Sequence, residues 1–186
     1  MEGEWTLDEL KIAYQAALDI ETYVNDITDG NGLAWMNEYL GNIDISISTK
    51  SRGSALPGNV YLPSKWENSS NPGQYLAHEL GHIWDIRTGG IGLLGATMGV
   101  GDYLNSFIGG DIIETVDCRF CDGTGKNYIP EHRRFKSPGS NPYGNNSTAD
   151  YAAEAFGWSI YNPSYVPSGV ERWIKDVIYW QAKELN

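Results

Sequence analysis

The sequence predicts an α+β domain in which helices flank a small twisted sheet, and three observations predict it. Apolar residues recur at helical spacing near both ends of the 186-residue chain. Two short stretches, 43–47 and 59–62, read as strands. Clusters of Gly, Pro, Asn and Ser separate these segments with turn chemistry, so the elements are distinct rather than one long repeat.

The first helix opens at Thr6, three residues before Glu9, which is the spacing of a capping box. Leu10, Ala13, Tyr14, Ala17, Ile20 and Val24 follow every three or four residues and form its apolar stripe. Asp29-Gly30-Asn31-Gly32 ends it, and a short helical turn carries Trp35 to Leu40. In 43–47 apolar and polar residues alternate, as on a half-buried strand. Pro57-Gly58 makes a turn into 59–62, and the prolines on both sides predict a short edge strand there.

Ser69-Ser70-Asn71-Pro72 offers a capping residue before a proline at the first helical position. A helix is expected over 72–87, stopped by Gly89-Gly90. Residues 89–146 form a long insertion in an otherwise single 1–186 domain. Its Gly-rich, apolar first part is expected to pack onto the domain, with a flap or a docking surface as the alternatives. Residues 137–148 read as a loop, and 147–161 as a helix. Ser168 and Glu171 repeat the capping-box spacing and begin the last helix, whose face is Val170, Trp173, Val177 and Trp180.

Apolar residues make up 41% of the chain, with seven Trp and twelve Tyr, which suits a packed core and argues against disorder throughout. The formal net charge of −11 repels phosphate backbones and anionic bilayers, so neither nucleic acid nor a membrane surface is the expected partner. No apolar run reaches the length of a spanning helix, and the first residues carry no signal-peptide pattern. The abrupt start is compatible with a domain delivered as part of a larger secreted bacterial protein.

His78-Glu79-Leu80-Gly81-His82 carries the strongest chemical signal. On a helix, residues four apart share one face, so both imidazoles can address one tetrahedral zinc ion. Glu79 then stands beside the metal without ligating it. Zinc acidifies a water, and the Glu79 carboxylate can take its proton as general base and pass it to a leaving amine. Two surface histidines four apart by accident are the alternative. Against this, the chain has only three His, and Leu76, Leu80 and Ile83 give the helix a separate apolar side.

That motif, together with Asp150-Tyr151-Ala152-Ala153-Glu154-Ala155-Phe156, resembles the gluzincin metallopeptidases. The likeness is to their small members and to the group that includes anthrax lethal factor and the Pro-Pro endopeptidases. The resemblance implies a zincin-like fold with a metal-binding helix, a carboxylate helix, a Zn2+ cofactor, a polypeptide substrate and endopeptidase activity. Relatives read roughly Glu-(Phe or Asp)-Phe-Ala-Glu-x-Phe on the second helix, the first Glu being the third ligand and the second supporting it.

Here Asp150 stands at the ligand position, shorter than Glu by one carbon–carbon bond, about 1.5 Å. Either Asp150 binds the metal with the helix drawn closer, or Glu154 binds it and Asp150 caps the helix after Ser147. Tyr143, seven residues before Asp150, stands where several relatives place an oxyanion donor, which favours Asp150; an ordinary loop tyrosine, one of twelve in the chain, is the alternative. The metzincin extension would need Gly at 85 and His at 88, where this chain has Asp85 and Thr88.

Asp85 is a candidate acceptor for a ligand imidazole, or a partner for Arg87. His132 sits in a charged stretch and reads as a solvated residue. Cys118 and Cys121 form one CxxC, which is compatible with a local disulfide, two free thiols or a small metal site. The competing functional classes are a hydrolase of non-peptide amides, a zincin-like binding domain without turnover, and an effector (toxin) domain of a larger secreted protein.

Overall fold

The chain is described by a computed structural model covering residues 5–49, 53–88, 113–115, 133–135 and 148–185. Helix α1, Leu7–Thr28, begins at the expected capping box: the Glu9 amide donates to Thr6 Oγ1, and the Thr6 amide donates to Glu9 Oε2. Its buried stripe runs through Ala16, Ile20 and Val24, spaced by four. Tyr14 is 67% exposed, a correction to the expected face. Two residues turn a helix by about 200°, so Tyr14 points away from Ala16. Helix α2, Gly32–Tyr39, is longer than the expected turn and buries Trp35.

Three strands form one sheet: β1 (Asp44–Ser48), β2 (Ser54–Leu56) and β3 (Asn59–Pro63), in the order β1-β3-β2. β1 runs parallel to β3, with Ile45 opposite Val60 and Ile47 opposite Leu62. β2 runs antiparallel to β3 through a Pro57-Gly58 turn. Gly58 sits at φ 78°, where a residue with Cβ would be strained.

The 59–62 stretch is therefore the central strand, not the expected edge. Pro57 lies in the hairpin turn and Pro63 at the strand end, so neither removes a donor from the ladder interior. Val60 and Leu62 are wholly buried, as a central strand requires. The edge beside the helices is β2, which the Ser- and Gly-rich sequence did not announce.

Helix α3, Pro72–Arg87, has Pro at its first position as expected, although Asn71 makes no side-chain cap bond. A second small sheet pairs β4 (Ile113–Thr115) with β5 (Arg133–Phe135), antiparallel. Helix α4 spans Thr148–Tyr161 and helix α5 spans Ser168–Lys183. The capping box expected at Ser168 does not form. The Pro167 carbonyl accepts the first helical bonds, so the helix starts one residue earlier and Glu171 falls outside capping register. α5 buries Val170, Trp173, Ile174, Ile178 and Ala182, whereas Trp180 is 63% exposed, a second correction to an expected face.

The core lies between the sheet and the five helices, and the closest helix pair is α3 with α4. Trp35, Trp84 and Phe156 pack ring against ring, 5.3–6.4 Å between centroids. Gln181 Oε1 accepts from the indole N–H of both Trp35 and Trp84, each at 3.0 Å. Among the described residues, no helix is long and apolar enough to cross a membrane.

Candidate metal centre

α3 and α4 cross face to face, and the candidate residues meet at that crossing. His78 and His82, one turn apart on α3, stand with ring planes at 85° and their Nε2 atoms 3.2 Å apart. Asp150, in the first turn of α4, brings Oδ1 to 3.4 Å from His82 Nε2. One ligand atom from each of His78, His82 and Asp150 lies within 4.8 Å of the others, a grouping that could hold a metal ion.

Glu154, one turn further along α4 and wholly buried, addresses a different atom. Its Oε2 lies 2.7 Å from His78 Nδ1. Both atoms are buried, and this close ion-pair contact rather than a well-aligned hydrogen bond brings them together. A hydrogen on Nδ1 would face this carboxylate and leave the lone pair on Nε2, which stands 3.2 Å from His82 Nε2. The other oxygen of Glu154 accepts from the Trp158 indole N–H at 2.8 Å. Trp158 went unnoticed in the sequence, although it stands one helical turn after Glu154, a readable signal.

Glu79 is only 5% exposed and lies close enough to His78, Asp150 and Glu154 to feel their charges. Gly53, at the entrance to β2, lies against it: a Cβ at 53 would collide with Glu79 Oε1 and come within 2.8 Å of Tyr75 Oη. The Tyr75 hydroxyl accepts the Gly53 N–H at 2.7 Å, which ties the edge strand to the helix. Gly53 and Tyr75 were likewise missed, because nothing local in the sequence sets a loop glycine against a helix.

Burial raises the Glu79 carboxyl to about 7, with His78 pulling it down and Asp150 and Glu154 pushing it up. Burial, then the neighbouring His78, pushes His82 down to about 3. Burial alone would also lower His78, but the Glu154 hydrogen bond and the charges of Glu79, Glu154 and Asp150 outweigh it, leaving His78 raised. Three carboxyl groups thus surround two imidazoles, one of which resists protonation.

Asp85 is buried at 2% exposure, and the Arg87 guanidinium donates to the Glu38 carbonyl at 2.9 and 3.2 Å. Tyr143, Ser147, His132, Cys118, Cys121 and most of the 89–146 insertion lie outside the described residues. Comparison with known proteins gives no significant match to a family model, a curated protein or a solved structure.

Proposed function

We propose that the chain is a zinc-dependent endopeptidase with a zincin-like arrangement, its metal held by His78, His82 and Asp150. The single observation that carries this reading is the division of labour at the α3–α4 crossing. Glu154 lies against His78 Nδ1, while the Nε2 atoms of His78 and His82, 3.2 Å apart, group with the Asp150 carboxylate. Two imidazoles and a carboxylate are a donor set that zinc accepts with a position left open for reaction. The surplus of carboxyl groups in a mostly buried crossing supplies the negative charge a divalent cation offsets.

His78, His82 and Asp150 would hold a zinc ion whose Lewis acidity would polarise a scissile carbonyl and acidify water. Glu79 then serves as the base. Its carboxylate would accept a proton from the water and return it to the departing amine. Gly53 and Tyr75 hold β2 against that carboxylate. Among the described residues β2 is an edge strand beside the Gly53–Glu79 contact, and an extended polypeptide added to such an edge supports a peptide as the substrate class.

Elemental analysis tests the reading, on wild type and on His78→Ala, Asp150→Ala, Glu154→Ala and Glu79→Gln purified alike. One zinc per chain is expected in wild type and in Glu79→Gln. It should be lost in His78→Ala and Asp150→Ala, and bound roughly 10–100-fold more weakly in Glu154→Ala. Glu79→Gln should cleave an unstructured polypeptide at least about 100-fold more slowly. A wild type that takes up no zinc when zinc is offered overturns the proposal, and full zinc without proteolysis leaves a metal-binding domain that acts on another amide or on none.

A further inference from the structure

The third candidate ligand is one carbon–carbon bond shorter than a glutamate, about 1.5 Å, so the helix bearing it has to stand closer to the histidines. The α3–α4 seam shows what permits this. A Cβ on Gly81 would lie 2.8 Å from Ala153 Cα and 3.2 Å from both the Ala153 Cβ and its carbonyl oxygen. A Cβ on Gly157 would lie 3.1 Å from the Gln74 carbonyl and 3.3 Å from the His78 backbone nitrogen. Backbone atoms stand on the far side at both points, so no rotamer change could relieve either intrusion.

The positions of the two glycines matter as much as their size. Gly81 directly precedes His82, and it faces Ala153, which lies between Asp150 and Glu154 on α4. Gly157 presses on the backbone of His78 itself. The two close approaches therefore act at the residues that carry the nitrogens and the carboxylates, not at a remote part of the interface.

We infer that Gly81 and Gly157 are positioning residues that set the separation of α3 and α4 to the length of an aspartate, and so make Asp150 rather than a glutamate the fitting ligand. This rests on the zinc reading above. An ordinary carbon–carbon contact is about 3.5–4.0 Å. A methyl group at 81 therefore drives α4 back by roughly 0.7 Å or more, and carries Asp150 Oδ1 out from its present 3.4 Å to His82 Nε2. A glutamate at 150 restores the lost reach, whereas in the wild-type spacing it is too long.

The experiment measures zinc affinity by competition with a chromophoric chelator, starting from metal-free protein, with the visible spectrum of the cobalt form as a second readout. The proteins are wild type, Gly81→Ala, Gly157→Ala, Asp150→Glu, the double variant Gly81→Ala/Asp150→Glu, and Gly169→Ala. The last places a methyl in open space on α5 and controls for a general glycine effect.

Gly81→Ala should bind zinc at least tenfold more weakly, and Gly157→Ala, a gentler intrusion, less weakly than that. Asp150→Glu alone should also lose affinity. The double variant should bind more tightly than Gly81→Ala alone, with its cobalt spectrum returned toward that of wild type. Gly169→Ala should match wild type. Should Gly81→Ala fail to fold, Gly157→Ala with and without Asp150→Glu carries the same comparison. Wild type binding zinc with the glycine variants equal to it, or no recovery in the double variant, overturns this inference alone. A wild type with no zinc affinity overturns it together with the zinc site.

Discussion

Asp150 and Glu154 share a face of α4, one turn apart, yet they meet the histidines at different atoms: Asp150 at an Nε2, Glu154 at an Nδ1. The pattern His78-Glu79-Leu80-Gly81-His82 was legible because helical periodicity alone puts both imidazoles together. The place of each carboxylate was not, since it depends on how closely two helices lie, and Gly81 and Gly157 stand at their close approach. Glu79 was readable as a neighbour of the histidines but not as a buried group. Its burial has a consequence for the metal-free protein. A carboxyl whose folded pKa is raised to about 7 favours folding when protonated, so its contribution is full below its ordinary 4.5 and is lost as pH rises through 7. Glu79→Gln has no such loss. In chelator-treated protein the variant should gain up to about 3 kcal/mol on wild type at pH 8, and that advantage should disappear toward pH 4. Urea unfolding at the two pH values measures it, and an equal gain at both would show that the burial of Glu79 is not the cause.

At the scale of elements, the long helices were legible and the short strands less so. α3 begins at the proline expected to begin it, and α1 at its capping box. β2 is three residues long, too short for alternation to register, and the central place of β3 follows from pairing partners 15 residues upstream in a parallel ladder (Asp44 with Asn59). α5 shows how a helical face is misjudged from aromatic residues. Its interior row is Val170, Ile174, Ile178 and Ala182, spaced by four, and Trp180 falls on the far side. Ile178→Ala should therefore cost about 2–5 kcal/mol, while Trp180→Ala, despite removing a larger side chain, should change stability by no more than about 0.5 kcal/mol. Denaturant midpoints for the two variants decide this, and a larger loss at 180 would mean that the exposed face of α5 is covered.

Across the whole molecule, residues distant in sequence are tied at a few polar points inside the apolar core. Gln181, near the C-terminal end of α5, accepts from Trp35 on α2 and Trp84 on α3, and its carbonyl accepts from the Tyr39 hydroxyl at 3.3 Å. No sequence pattern pairs a lone glutamine with two indoles 146 and 97 residues away. Gln181→Leu keeps approximate size and leaves both indole donors buried without their acceptor, each at about 1–3 kcal/mol. A thermal unfolding midpoint lowered by several degrees is expected. An unchanged midpoint would indicate that water takes the place of the amide. Because Trp84 sits two residues after His82, the zinc site proposed above predicts that loosening this clamp also weakens zinc binding, an effect the same sample can report.

The crossing of α3 and α4 joins stretches of chain whose nearer ends in sequence, residues 87 and 148, are 61 positions apart. Loop-closure entropy grows only with the logarithm of the span, and doubling such a length costs only about 0.6 kcal/mol. The separation that looks so large along the sequence is therefore a weak constraint on the site. Within the described residues, the histidines and carboxylates meet where Gly81 lies against Ala153, so it is this backbone approach rather than closeness in sequence that brings them together.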